Sequence, residues 1–153
     1  MPRIMFYASL VMGKARPRIL KNGRAYTPAK TAKAERAIRD AYCAASREAY
    51  GKVLIAESHE PVHLTIYTFR PLPNSRPKSI ISEPDTYKYD WDNIGKLVSD
   101  ALNGCAYIDD AQVTRATVSK MSRLRNQKEQ TFVTVAWGDD IVLLGGTDTP
   151  NGI

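Results

Sequence analysis

The chain has 153 residues, of which 43% are hydrophobic and 25% are charged. That length is enough for one domain with a buried core, and the composition excludes a disordered protein and a membrane-spanning one. The formal net charge of +6 favours a polyanionic partner without requiring one. The two cysteines, Cys43 and Cys105, supply neither a disulfide framework nor a CxxC zinc site, and we interpret both as small core residues.

The N-terminal region predicts a strand followed by a basic hairpin. Apolar residues fall on both parities of residues 3–12, which predicts a strand buried on both faces. No signal-peptide cleavage site follows this strand, so we expect a cytoplasmic protein of a bacterium or a phage-infected cell. Residues 13–27 predict a hairpin that turns at Asn22 and Gly23. Its candidate DNA-binding cations are Lys14, Arg16, Arg18, Lys21 and Arg24.

A first helix and a second strand follow the hairpin. Thr27 is predicted as the N-cap of the helix and Pro28 as its first residue, and Gly51 is predicted to end it. Alternation of apolar and polar residues over 61–69 predicts the strand.

A proline-rich segment, residues 70–88, predicts a long exposed loop. It carries two further candidate DNA-binding cations, Arg76 and Lys78. A second helix is predicted over residues 92–103, with Gly104 as its C-cap. Its predicted buried face consists of Ile94, Leu97, Val98, Ala101 and Leu102.

Two more strands, over residues 112–121 and 130–137, complete the pattern, and residues 138–153 are expected to form a C-terminal tail. The elements together predict one α+β domain over residues 1–137. Its fold is expected to be a small mixed sheet of about four strands with two main helices, in the order β-α-β-α-β-β.

Carboxylates cluster around the second helix in the sequence. Asp90 and Asp92 are two apart, so in an extended segment both would point to one side while Trp91 turned into the core. Asp109 and Asp110 follow the end of the same helix. Two simpler interpretations stay open: Asp92 caps the helix, and the later pair forms a turn.

A cluster of these carboxylates would need a cation. Two unit charges about 4 Å apart repel each other by roughly 4 kcal/mol at an effective dielectric constant of about 20. Ligands that are all oxygen select Mg²⁺ or Mn²⁺ over zinc. Lys96 lies one helical turn beyond Asp92, where an ammonium could stabilise the charge that develops on a phosphate.

The segment DWDNIGKLVSDALNGCAYIDDAQV resembles the core motif of the RusA family of Holliday junction resolvases, and GKARPRILKNGRAYTPAKT resembles that family's basic hairpin and helix start. The resemblance implies a Mg²⁺-dependent endonuclease in which Mn²⁺ can substitute. It implies Asp90, Asp92 and Asp110 as metal-binding carboxylates, Asp109 as a supporting acid and Lys96 as the catalytic lysine. It further implies a homodimer that nicks two strands of a four-way DNA junction, with no small-molecule cofactor and no membrane partner.

Three other functions remain to be weighed against this one. A DNA-binding protein without catalysis and a nuclease of flaps or forks are both compatible with the charges. A phosphotransferase of small nucleotides is disfavoured because neither a GxGxxG nor a Walker pattern occurs. A zinc site at His59 and His63 is disfavoured because Pro61 prevents a helix that would align them.

Overall fold

A computed structural model describes residues 2–15, 18–26 and 28–138, without the side chains of Arg18 and Tyr26. The predictions made for Arg16, Thr27 and the tail beyond Gly138 lie outside the described residues. In chain order the elements are β1 (Arg3–Ala8), β2 (Arg18–Ile19), β3 (Ala25–Tyr26), α1 (Ala29–Tyr50), β4 (Val62–Phe69), β5 (Ser82–Glu83), α2 (Trp91–Leu102), β6 (Val113–Lys120), β7 (Arg123–Leu124) and β8 (Gln130–Trp137). A 3₁₀ turn, Asp110–Gln112, precedes β6.

Four strands form the main sheet in the spatial order β1-β8-β4-β6. The β4–β6 pair is parallel, whereas β8 runs antiparallel to both β1 and β4. The parallel pair requires a crossover, and α2 provides it by packing on the sheet against β6. The α+β prediction, with a mixed sheet and two main helices, is therefore confirmed.

The periodicity of the second helix was predicted well. All five residues expected on its buried face are at most 1% exposed, and they pack into one core with both helices and the sheet. The helix ends at Leu102 and Asn103 is its C-cap, one residue earlier than predicted; Gly104 follows with a φ of +82°. A residue without Cβ adopts that backbone conformation readily, so the chain can turn sharply back towards the sheet.

The prediction for the first strand was wrong in two respects. The strand ends at Ala8, and its residues alternate between exposed and buried. The reason is that β1 lies at the edge of a sheet whose helices pack on one face. Met5 and Tyr7 point to the other face and are 54% and 48% exposed.

The basic hairpin turns where it was expected. β2 and β3 pair antiparallel, and Gly23 adopts a φ of +81° in the turn between them. Asn22 supports the turn by accepting a hydrogen bond from the Arg24 amide through its side chain. Pro28 occupies the N-cap of α1, so the helix begins at Ala29, one residue later than predicted, while Gly51 ends it as expected.

The proline-rich segment is mostly irregular, as predicted, but it is docked on the domain. β5 pairs with β7, and Leu72 and Asp85 are buried. Arg125 donates hydrogen bonds to the carbonyl oxygens of Arg76 and Pro77. The turn between β6 and β8 therefore holds this segment in place. No helix among the described residues is long and apolar enough to cross a membrane.

Candidate active site

The start of α2 positions the first two carboxylates. Asp90 occupies the N-cap, yet its side chain makes no capping hydrogen bond. Asp92 lies in the first turn, and one of its oxygens accepts the Asn93 amide at 3.0 Å. Both residues are exposed, and neither forms a salt bridge within the described part of the chain. Asp92 is therefore not the N-cap residue, although its side chain does accept one free amide of the first turn, and the side chain of Asp90 makes no capping hydrogen bond.

Trp91 does not turn into the core, contrary to the prediction. It is 65% exposed, because α2 begins at this residue and successive side chains rotate by about 100° instead of alternating. The alternation expected of an extended segment therefore does not apply between Asp90 and Asp92.

An open groove of about 270 Å³ runs between α2 and β6. We call it the acidic groove; its lining residues include Trp91, Asp92, Gly95, Lys96, Ser99 and Asp110. Gly95 allows the helix and strand to approach closely, since a Cβ there would lie 3.3 Å from Cγ2 of Val118. The groove thus brings together three predicted site residues, while Asp90 and Asp109 are not among its lining residues.

The segment that carries Asp110 is fixed by a buried glutamine. The side-chain oxygen of Gln112 accepts the amides of Ile108 and Asp109 at 2.9 and 3.0 Å. Its amide nitrogen donates to the carbonyl oxygen of Glu57 at 2.6 Å. Asp109 takes the N-cap position of the 3₁₀ turn, in a capping-box arrangement with Gln112. Of the two adjacent aspartates, Asp110 is the one that lines the acidic groove.

Tyr107 connects the segment that carries Asp110 to α2 through a hydrogen bond. Its buried hydroxyl donates to the Ser99 carbonyl oxygen at 2.6 Å. Burial, together with the nearby negative charge of Asp110, raises the pKa of Tyr107, so the phenol remains a neutral donor. This bond couples the position of Asp110 to that of the helix carrying Asp92 and Lys96.

The family of this chain follows from a match to a known family model. A family model described as endodeoxyribonuclease RusA matches residues 10–136. The chain belongs to the RusA endodeoxyribonuclease family. The resemblance drawn from its motifs is thereby confirmed, and membership implies an endonuclease that resolves Holliday junctions. A search of curated proteins found no match.

In this RusA family member, Lys14 has an internal role that its position in a basic hairpin does not reveal. Its ammonium pairs with Glu35 of α1 and lies 3.3 Å from a carboxylate oxygen of Asp100 in α2. Burial lowers the pKa of Lys14, but the hydrogen bonds to Glu35 and Asp100 outweigh it, and the pKa is raised overall. A phosphate contact by Lys14 would have to break these pairs.

The other predicted DNA-binding cations divide into two groups. Lys21, Arg24 and Lys78 are exposed. Arg76 instead lies 3.1 Å from a carboxylate oxygen of Glu83, and its guanidinium carbon lies over the ring of Tyr87, 5.8 Å from the centroid. The exposed cations are therefore freer to reach a polyanion than Arg76 is.

A second positive region of the RusA domain was not predicted from the sequence. A cavity of about 520 Å³, which we call the basic cavity, is lined by Lys30, Lys33, Arg70, Lys88 and Tyr89, among others. Arg70 is the most constrained of the four cations, since it lies 3.8 Å from Asp85 and 3.9 Å from Glu129. Tyr89 immediately precedes Asp90, the N-cap of α2, so the basic cavity adjoins the start of α2. No local signal reveals it, because its cations come from α1 and from the two ends of the proline-rich segment, which lie far apart in the sequence.

The carboxylates of the acidic groove fit a hard divalent cation in number and chemistry. Among the described residues, no three His, Cys, Asp or Glu side chains lie close enough together to hold a metal ion. Mg²⁺, however, is usually bound by one or two carboxylates, with water and substrate phosphate completing its shell. Asp92 and Asp110 line one groove and would supply such a pair of oxygen ligands.

Proposed function

We propose that this RusA family member is a Mg²⁺-dependent endonuclease that cleaves branched DNA, in particular four-way junctions, during recombination and repair. One observation carries the proposal: Asp92, Lys96 and Asp110 line the same groove in a chain of an endodeoxyribonuclease family. Carboxylates and a cation in one groove match the needs of phosphodiester hydrolysis, in which a metal and a positive side chain share the growing negative charge.

Each residue has a distinct role in the proposed reaction. Hydrolysis forms a P–O bond to water oxygen and breaks one P–O bond of the backbone. Asp92 and Asp110 would hold Mg²⁺ together with water and a substrate phosphate. Asp90 at the helix start, the third carboxylate that the family resemblance implies, would have to come closer to them than it lies here to bind the same ion. When bound, the ion supplies a Lewis acid that activates water and neutralises phosphate charge. Lys96 directs its ammonium at the non-bridging oxygens, where charge builds up as water attacks.

DNA would be held through its phosphates by cations outside the acidic groove. The exposed hairpin residues Lys21 and Arg24 support this, as do Lys30 and Lys33 of the basic cavity. Contacts of this kind read the shape of the backbone and not the base sequence. They also predict that affinity falls by about one logarithmic unit per phosphate contact for each tenfold rise in salt.

We further propose that a second copy of the chain packs on the exposed side of the edge strand β1, which carries Met5 and Tyr7. Tyr7 on that side contacts Phe132, with ring centroids 4.8 Å apart and an angle of 52° between the rings, and neighbouring Met5 is half exposed. Two copies would place two acidic grooves on one particle, as symmetric nicking of a junction requires. Light scattering tests this: Tyr7→Arg should convert a dimer into a monomer, and a wild-type monomer would refute the proposal.

The decisive test of catalysis compares wild type with Asp90→Asn on a labelled four-way junction, in Mg²⁺ or in EDTA. Asp40→Asn, an exposed aspartate in the middle of α1, is the matched control. We expect cleavage by wild type and Asp40→Asn in Mg²⁺ alone. Asp90→Asn should bind the junction at least as tightly and cleave it at a small fraction of the wild-type rate. Equal, metal-independent behaviour of all three proteins would contradict the nuclease function and favour DNA binding without catalysis.

A further inference from the structure

Half of the acidic groove is unsuited to metal or phosphate chemistry. Beside its charged residues, the groove is lined by the apolar side chains Leu64, Val113, Ala116 and Val118. A phosphate oxygen or a hydrated cation gains nothing from such a surface, since burying either without polar partners is costly. The lining residues therefore point to a ligand that is partly apolar and carries its charge at one end.

Trp91 stands at this groove with its indole largely in solvent. It is 65% exposed, whereas the other tryptophan of the chain, Trp137, is 3% exposed in the core. A single exposed apolar side chain is ordinary on a protein surface. Trp91 differs because it lies between Asp90 and Asp92 and lines the groove that also contains Lys96 and Asp110.

We propose that the acidic groove admits one unstacked nucleobase next to the phosphate to be cleaved, and that Trp91 stacks on this base. The inference rests on the proposed function and deepens it. The base would take the apolar part of the groove, while its adjoining phosphate would lie towards Lys96, Asp92 and Asp110. Stacking on an aromatic side chain tolerates any base, because every base presents a π-face.

This arrangement gives a physical reason for selecting branched DNA. In an intact duplex, a base must be unpaired and unstacked before it can enter a groove, and that step costs a few kcal/mol. At a branch point stacking is already interrupted, so the same step costs less. Trp91 is then a residue that sets substrate selectivity, since its contact is available only to a base outside the stack.

The binding experiment uses full-length wild type, Trp91→Ala and Trp91→Phe, with Tyr50→Ala as the control for loss of an exposed aromatic residue elsewhere. Affinity for a four-way junction is measured in EDTA, so that no cleavage is needed. Trp91→Ala should bind roughly 5- to 150-fold more weakly, the range expected for loss of one base stack. Trp91→Phe and Tyr50→Ala should remain within about threefold of wild type, because each keeps the aromatic platform at the groove.

Two further readouts separate stacking from a structural role. Tryptophan emission of wild type should fall when the junction binds, and that change should vanish in Trp91→Phe because Trp137 is buried. An abasic site moved along the junction should weaken wild-type binding at one position near the branch, where it should leave Trp91→Ala unaffected. The inference would be overturned if Trp91→Ala bound the junction as tightly as wild type and the tryptophan emission of wild type did not change on binding. Failure of wild type to cleave in Mg²⁺ would instead count against the proposed function, which these binding measurements do not require.

Discussion

The Lys96 ammonium lies 3.4 Å from a carboxylate oxygen of Asp100, one turn further along α2. The Lys96 side chain is 58% exposed, and an ion pair at such a site contributes only about 0.2–1 kcal/mol to stability. Asp100 does not line the acidic groove, so the ammonium would have to leave this weak pair to reach a phosphate there, at little cost to the fold.

Substitution of Lys96 separates catalysis from stability. We expect Lys96→Ala to lower the free energy of unfolding by less than about 1 kcal/mol, because the lost ion pair is exposed. Junction cleavage should fall by at least about 100-fold, since a cation at the developing phosphate charge is lost. Metal affinity, measured by calorimetry, should be kept. Lys52→Ala, an exposed lysine beyond α1, serves as control; retained turnover in Lys96→Ala would remove this lysine from the mechanism.

Lys14 and Lys21 lie in the same basic segment but should respond in opposite ways. Lys14→Met should lower the free energy of unfolding by about 1–3 kcal/mol, because Glu35 loses its charged partner and Asp100 keeps only the exposed Lys96. Lys21→Ala should leave stability unchanged and reduce the salt dependence of DNA binding by about one phosphate contact. Denaturant titrations measure the first effect, and DNA binding at several salt concentrations measures the second. If Lys21→Ala lost stability and Lys14→Met did not, the internal role assigned to Lys14 would be contradicted.

The stabilisation by Lys14 should depend on pH in a defined direction. Its folded-state pKa is raised above the ordinary value of 10.5 by its two carboxylate partners. The stabilisation is therefore fully present below about pH 10.5 and is lost as pH rises through the folded-state pKa. The stability difference between wild type and Lys14→Met should be constant from about pH 7 to 10 and should shrink above that range. A difference that grew with alkaline pH would refute the ion-pair explanation.

The contrast between these residues shows what the sequence could predict. The buried face of α2 followed from its helical period, because local spacing determines which side chains share a face. Trp91 was misplaced because the helix begins one residue earlier than its pattern indicated, and helix ends are uncertain by that amount. Lys14 could not be told from Lys21 by composition, since its partners Glu35 and Asp100 reach it only through the packing of both helices. The basic cavity could not be predicted from the sequence for the same reason, since its cations come together only in the folded chain.

The basic cavity yields a prediction about salt. Lys33 is exposed on α1 and lines the cavity together with Lys30. If it contacts a DNA phosphate, Lys33→Ala should weaken binding similarly for all sequences and lower the salt slope by about 0.9. Lys52→Ala, outside the cavity, should leave the slope unchanged. An unaltered slope in Lys33→Ala would place the DNA elsewhere.

Gly95 tests whether the width of the acidic groove matters for catalysis. In Gly95→Ala, the added Cβ would lie 3.3 Å from Cγ2 of Val118, so α2 and β6 must separate by a few tenths of an ångström.

Two effects on stability then oppose each other, because alanine favours a helix over glycine by about 1 kcal/mol. We therefore expect the melting temperature to change little. Cleavage should fall by about tenfold or more, since Asp92 and Lys96 move with the helix relative to Asp110, and small displacements of reacting groups are costly. Val118→Ala removes the opposing methyl group, so the double variant should recover much of the lost rate. Equal loss in the single and double variants would show that the contact between Gly95 and Val118 does not set the geometry of the groove.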